Sequence, residues 1–451
     1  MVSQFIADPS RLLISSIFGI IVLLVLIVKF KIHPILSLLV SALCIGLGSG
    51  MSVLNLMNTI ESGAGETLQG IVLLIGLGSM FGGILEVSGG AQSVARTLID
   101  KVGEDKAGLA LGITGLVVGT TVFFEAGVVI LIPLAFGLAK KTKKSTLFYV
   151  MPLLAGLATS FAFIPPSSGS VLVSNILGVD LGVMIAVGLP IGIIALIVSS
   201  LFFTKFIGKK IFVDVPSNIK EVVEVEKEKL PSFYIVIIVI LIPLVLILLK
   251  TISSYIDGLE IIMPFFEFLG TPFIALIIAV FSAMFLLGKK HGYNNEELKQ
   301  ILDRSLRPTG QILLVITGGG IISYVLQGCG MGKIIAPILE KSGLPLILIA
   351  FLISGIIRIS VGAAVVSMTM AAGIMATIPS VSMLSQVDIA AMVCAINGGA
   401  TAFSHFNDSG FWLVSSLIEM DEKTTLKTWT ILETIIGFVG LVCAILISVV
   451  M

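Results

Sequence analysis

The sequence predicts an all-α polytopic membrane protein made of inverted structural repeats, with two re-entrant hairpins and two broken transmembrane helices. Three observations predict it: long apolar runs without strand-like alternation, a one-sided distribution of Lys and Arg, and a short motif that recurs 241 residues further along, at 168 and again at 409.

Of the 451 residues, 57% are hydrophobic and only 12% charged, whereas soluble domains carry about 25% charged residues. A soluble globule is excluded. Because the apolar runs are continuous, a membrane barrel is excluded as well. A hydrocarbon core about 30 Å thick takes about 20 apolar residues per helical crossing, so the lipid bilayer is the solvent of most of this chain. Twenty-seven Lys and Arg balance 27 Asp and Glu, which provides no basic face for nucleic acid. Cys44, Cys329, Cys394 and Cys443 are scattered without metal-ligand spacing, so neither metal nor other cofactor is expected. The first residues, MVSQFIADPSRLL, lack the basic region and cleavage site of a secretory signal.

Hydropathy places crossings near 11–29, 33–50, 70–88, 146–176, 181–204, 232–250, 261–288, 309–328, 386–416 and 427–451. Two further apolar stretches, 108–139 and 345–378, are too long for one crossing and too short for two. Small residues interrupt each of them, Gly119-Thr120-Thr121 in the first and Ser360-Val361-Gly362-Ala363-Ala364 in the second. Both are expected to be hairpins that enter and leave on one side. Lys and Arg accumulate in cytoplasmic loops, and with two hairpins 22 of the 27 basic residues fall there. The opposite segments 51–69 and 251–271 hold Glu61, Glu66, Asp257, Glu260 and Glu267 and no Lys or Arg. Both termini are then outside. The charge-rich segment 205–230 is a cytoplasmic linker between N-terminal helices (1–69) with a first repeat (70–204), and middle helices (231–308) with a second repeat (309–451).

The repeat rests on residues. Ser168-Gly169-Ser170-Val171-Leu172-Val173-Ser174 matches Ser409-Gly410-Phe411-Trp412-Leu413-Val414-Ser415 at five positions, and LEVSGGAQSVA from Leu85 lies against LQGCGMGKIIA from Leu326 at the same offset. The two segments cross in opposite directions in this topology. Inverted repeats put half-sites made of broken helices around a midplane site for substrate and ion. The breaks are visible at Ile164-Pro165-Pro166-Ser167-Ser168-Gly169-Ser170, where two prolines remove backbone donors, and at His405-Phe406-Asn407-Asp408-Ser409-Gly410, whose residues favour turns.

Charges inside the apolar runs mark function. Arg358, in the second hairpin, costs about 2.5–3.5 kcal/mol at a helix centre and must face a partner or a wet cavity. Its planar fork suits a carboxylate, so it is the candidate ligand of a substrate's acid group; an ion pair with Glu125 or Asp408 is the structural alternative. Ser167, Ser168, Ser170, Asn407 and Ser409 are candidates for hydroxyl groups, with Gly169 and Gly410 in the breaks and Thr121 and Ser360 at the hairpin tips. Glu125, Asp408 and His405 are candidates for proton coupling. A carboxylate with unwound carbonyls also suits Na⁺. Glu86 and Glu433 lie near span ends and are expected at the interface.

FFEAGVVILIPLAFGLA (123–139), PLLAGLATSFAFIPPSSGS (152–170), RISVGAAVVSMTMAAG (358–373) and SHFNDSGFWLVSSLIEMDEKTTLKTWTILETIIGFVGL (404–441) together resemble the gluconate permease (GntP) family across nearly the whole chain. The resemblance implies a broken-helix, two-hairpin carrier of the ion-transporter superfamily in the cell inner membrane. Such a carrier takes up gluconate, other sugar acids or D-serine, generally with protons. The family's Arg falls on Arg358 and its HxNDSG segment on His405, Asn407, Asp408, Ser409 and Gly410. Two departures bear on the substrate: Glu125 stands where gluconate permeases carry Asp, and Pro165-Pro166-Ser167-Ser168-Gly169-Ser170 stands for PPHPGP.

The expected function is therefore secondary active import of a small organic acid by proton symport, the acid being a sugar acid, a hydroxy acid or a D-amino acid. A Na⁺-coupled carboxylate carrier is the alternative. An intramembrane hydrolase built on Ser168 or Ser170 with His405 is the remote one, because serines in both halves exceed what a single nucleophile requires. Analogy with such carriers adds a homodimer contact through the middle helices.

Overall fold

The computed structural model describes residues 7–103, 106–216, 230–254, 256, 262–331, 334, 343–406 and 408–450. Residues 217–229 of the charged linker fall outside that set. All regular structure among the described residues is helical. In chain order the helices are α1 Pro9–Leu24, α2 Pro34–Gly48, α3 Val53–Val87, α4 Gly90–Val102, α5 Ala107–Val118, α6 Phe124–Thr142, α7 Leu147–Phe163, α8 Ser168–Leu177 and α9 Leu181–Lys210. They continue as α10 Phe233–Ser253, α11 Met263–Leu269, α12 Pro272–His291, α13 Asn295–Gly328, α14 Leu346–Val361, α15 Ala364–Ala376, α16 Gln386–Thr401, α17 Ser409–Ile418 and α18 Glu422–Val449.

Local chemistry fixes the starts. Pro9, Pro34 and Pro272 stand at the first helical position, where a missing N–H costs nothing. Asp180 caps α9 through Gly182 N at 2.9 Å, and Asn294 with Glu297 forms a reciprocal capping box on α13.

Seven helices are long and apolar enough to span a bilayer, or eight if the two arms of α3, bent by 41° between Gln69 and Ile71, are taken as one span. The protein is a multi-pass membrane protein. Ten crossings are expected from hydropathy, and the shortfall has a local cause: α2 has 15 residues, and the break after Thr401 divides 386–416 into pieces of 16 and 10. Two helices also run further than hydropathy indicates. Residues 53–69, read as an outer loop, are the first arm of α3, and α13 begins at Asn295 instead of near 309.

Burial separates core from shell. In the most apolar window of Leu147–Leu177, 89% of residues are buried, against 33% in Phe233–Ser253. The broken helix α7–α8 is therefore the centre of the molecule, while α10 turns side chains such as Tyr234, Ile238 and Leu241 outward. The largest apolar cluster joins α5–α9 to α14–α18. A second unites α1, α2, the first arm of α3 and the end of α13, and a third joins the second arm of α3 to α4, α10 and α12.

The halves follow one plan. α3 and α13 end at Val87 and Gly328, and α8 and α17 begin at Ser168 and Ser409, each pair 241 residues apart. Between them come a helix pair joined by a short break (α5–α6, α14–α15) and a broken helix (α7–α8, α16–α17). Glycine sets the closest approach in both halves. A Cβ on Gly156 would run into the Gly112 carbonyl, and one on Gly399 into the Phe351 carbonyl, so α5 rides on α7 as α14 rides on α16.

Candidate functional site

The interruptions meet at one place. In the first half, α7 ends at Phe163 and α8 starts at Ser168; in the second, α16 ends at Thr401 and α17 starts at Ser409. The two helix pairs break at 119–123 and at Gly362-Ala363, with Gly362 in the left-handed region at φ 84°. A cavity of about 190 Å³ is lined by residues from all four interruptions: Phe123, Phe124 and Glu125 of α6; Ser168 of α8; Ala363, Ala364 and Val365 of α15; Asp408, Ser409 and Gly410 of α17. Every one of these groups is the start of a helix. Four helix N-termini, each with its positive dipole end and N–H groups that lack an intrahelical partner, therefore border a single cavity.

The side chains add one cation and three carboxyls. Among the described lining residues the cation is Arg358, in the last turn of α14 and 3% exposed. Its Nη2 donates to Asp408 Oδ2 at 2.5 Å, and its Nη1 donates to the Gly362 carbonyl. Its Nε is buried without a hydrogen-bond partner. The ion pair considered as an alternative for Arg358 is thus present, with Asp408 as partner. Asp408 is held from several sides. Its Oδ1 accepts from Gly410 N at 3.0 Å, capping α17, and its Oδ2 also accepts from the Ser404 hydroxyl. Ser404 in turn accepts from Trp429 Nε1 at 2.8 Å, which ties the break to α18.

Glu125, in the first turn of α6, has an accessible side chain on the cavity. Glu433, on α18, is 5% exposed; its Oε1 has no partner and its side chain lines the same cavity. This corrects the interfacial position expected for Glu433. Its distance into the helix is the missed signal: eleven residues beyond Glu422 is ~16 Å of rise, about half the hydrocarbon core.

The other candidates divide. Ser168, Ser409 and Gly410 line the cavity. Ser167 and Thr121 line an adjoining space of about 30 Å³ that shares Phe123, Phe161 and Ser168 with it. Ser170 is fully buried and bonds Ser167 at 2.9 Å, and Gly169 is buried where a Cβ would strike the Phe161 carbonyl. Neither lines the cavity. Ser360 returns its hydroxyl to the Ile356 carbonyl at 2.8 Å and stands apart from it. His405 is half-buried, with Nδ1 2.8 Å from the Phe403 carbonyl, and is likewise not brought to the cavity. Asn407 lies outside the described residues. A third space, about 320 Å³, shares Ser79, Thr121, Val122 and Phe123 with the second and reaches Glu86 at the end of α3 and Arg304 on α13.

A multi-pass helical protein whose broken helices border a cavity carrying charged side chains has the construction of a membrane carrier. The chain belongs to the GntP family of permeases, whose family model matches residues 11–450. Such permeases are transporters, not enzymes, so a hydrolytic role for Ser168 or Ser170 is set aside. A gluconate permease of Pseudomonas aeruginosa is 34% identical over 449 residues, 99% of each chain, and a D-serine transporter of Escherichia coli is 35% identical over 445 residues, 97% of this chain and 98% of that one. Among solved structures, the YdaH transporter of Alcanivorax borkumensis shares the fold, with TM-score 0.62, 14% identity and coverage of 88% of this chain and 89% of that one.

Proposed function

We propose that this protein is a secondary active symporter that brings a small organic acid into the cell together with protons, and that the acid's carboxylate occupies the cavity between the two broken helices. The substrate class is a sugar acid, a hydroxy acid or a D-amino acid, in keeping with the gluconate and D-serine transported by the two relatives. The observation that carries the reading is the convergence of four helix N-termini with Arg358 on one cavity, because helix N-termini and guanidinium groups both favour anions. Arg358 offers its unpaired Nε to the substrate carboxylate, while Ser168 and Ser409 are within reach of hydroxyl groups. The carboxyls on the cavity are the groups able to load and release a proton.

In the same reading the repeats are inverted across the membrane, the two short helix pairs are re-entrant hairpins, and both termini lie outside. The third space then leads towards the basic, cytoplasmic face near Arg304. The shell helices form the scaffold and, by analogy, the contact of a homodimer.

The test is uptake of labelled gluconate into proteoliposomes under an imposed pH gradient, acid outside, with sodium absent. Accumulation above the outside concentration is expected. Accumulation only when a sodium gradient is imposed would establish the Na⁺-coupled alternative instead.

A further inference from the structure

Charge around the cavity is out of balance: one cation stands among three carboxyls, and of the two left unpaired by it Glu433 is the buried one. Arg358 and Asp408 neutralise each other at 2.5 Å, both nearly enclosed. Beside that pair stands Glu433, buried on α18, with Oε1 unsatisfied and no ion pair among the described residues. A buried polar atom without a partner is expensive, and a buried unpaired charge far more so. If Glu433 were ionised while an organic anion occupied the cavity, Glu433 and the anion would be two negative charges beside Asp408 and Glu125 with no cation of their own. A proton on Glu433 removes one of them.

We propose that Glu433 is the carboxyl that carries the coupling proton, protonated while the anion is bound and ionised when the cavity is empty. The proposal rests on the anion-symport reading above and assigns the coupling within it. The proton arrives from the aqueous face that delivers the substrate and leaves to water on the other side; no covalent bond other than the carboxyl O–H forms or breaks. In the empty state the ionised Glu433 is balanced by Arg358, now shared with Asp408. In the loaded state the substrate carboxylate takes that share of Arg358. Proton and substrate therefore bind together.

The groups facing Glu433 define what else could titrate. They are Arg358 from α14, Asp408 at the cap of α17 and Glu125 at the start of α6; His405, in the second break, is turned to the Phe403 carbonyl. Asp408 is held by Arg358, Ser404 and Gly410, and Glu125 is open to the cavity. Glu433 alone among the three carboxyls is both enclosed and left with an unsatisfied oxygen.

The experiment measures gluconate affinity against pH for purified protein in detergent, by calorimetry. For one linked proton the Kd of the wild type rises up to tenfold per pH unit above the carboxyl's transition. In Glu433→Gln that dependence is lost, while thermal unfolding verifies a folded protein; in Glu433→Asp it is kept but displaced along the pH axis. If Glu433→Gln does not fold, Glu433→Asp decides, and an unmoved transition overturns the proposal. A folded Glu433→Gln with the wild-type pH dependence overturns it too, whereas a wild type whose affinity is flat with pH would instead remove proton symport itself.

Discussion

The pair Arg358–Asp408 sets up a sharp asymmetry. Replacing Asp408 by Ala removes three things at once: the counter-charge of an Arg that is 3% exposed, the cap on Gly410 N and the acceptor for Ser404. Stranding a buried partner costs about 3–5 kcal/mol, and losing the cap adds about 1 kcal/mol. Their sum is a large part of the roughly 5–15 kcal/mol that typically separates folded from unfolded domains. Replacing Arg358 by Met is milder. Asp408 then keeps two hydrogen-bond donors, and Met fills much of the vacated volume, so the expected cost is about half of that. In the double variant no stranded charge remains, and the two effects fall short of additive by about 1–3 kcal/mol. Denaturant or thermal unfolding of detergent-purified Asp408→Ala, Arg358→Met and the double variant measures the cycle. Strictly additive effects, or an Asp408→Ala protein as stable as wild type, would refute the ion pair as a structural element.

Three further outcomes follow from other parts of the molecule. Gly156→Ala pushes a methyl group into the Gly112 carbonyl across the α5–α7 contact, and overpacking of this kind costs about 1–3 kcal/mol, to be read as a lowered unfolding temperature. Gly137→Ala meets nothing within 4 Å and should leave α6 unchanged or raise its stability by up to about 1 kcal/mol, measured in the same assay. Asp421, exposed in the turn before α18, accepts from Thr424 N at 2.8 Å, and its hydrogen bonds with Thr424 hold its carboxyl below the usual value. Because the folded value is lowered, its cap is at full strength above the ordinary carboxylate value of about 4 and fades as pH falls through the folded value. The melting-temperature gap between wild type and Asp421→Ala should accordingly be widest near neutral pH and close in acid.

What the sequence made legible follows from what hydropathy measures. Transfer preference marks segments that prefer lipid, so the cores of α7, α9, α10 and α18 are visible in composition alone. The breaks at 164–167 and 402–408 are visible because Pro165, Pro166, Asp408 and Gly410 are poor helix residues in apolar surroundings. Hydropathy does not measure helicity, and there it misled. Residues 53–69 carry Asn58, Glu61, Ser62 and Glu66, which lower the apolar average, yet they form a continuous helix against α13, where Tyr324 donates to Glu66. Glu433 was hidden for a related reason: Thr428, Trp429 and Thr430 blur the start of the last span, so a carboxyl well inside it looks interfacial. The ion pair of Arg358 was a stated alternative, and only three-dimensional proximity across 50 residues selects Asp408 over Glu125.

A cryo-electron microscopy structure of the protein in lipid nanodiscs with gluconate shows whether an organic anion is held between the two broken helices. Ligand density is expected against Arg358 and the starts of α8 and α17 at Ser168 and Ser409. Density bound elsewhere, with Arg358 still closed on Asp408 and the cavity holding only water, would contradict it.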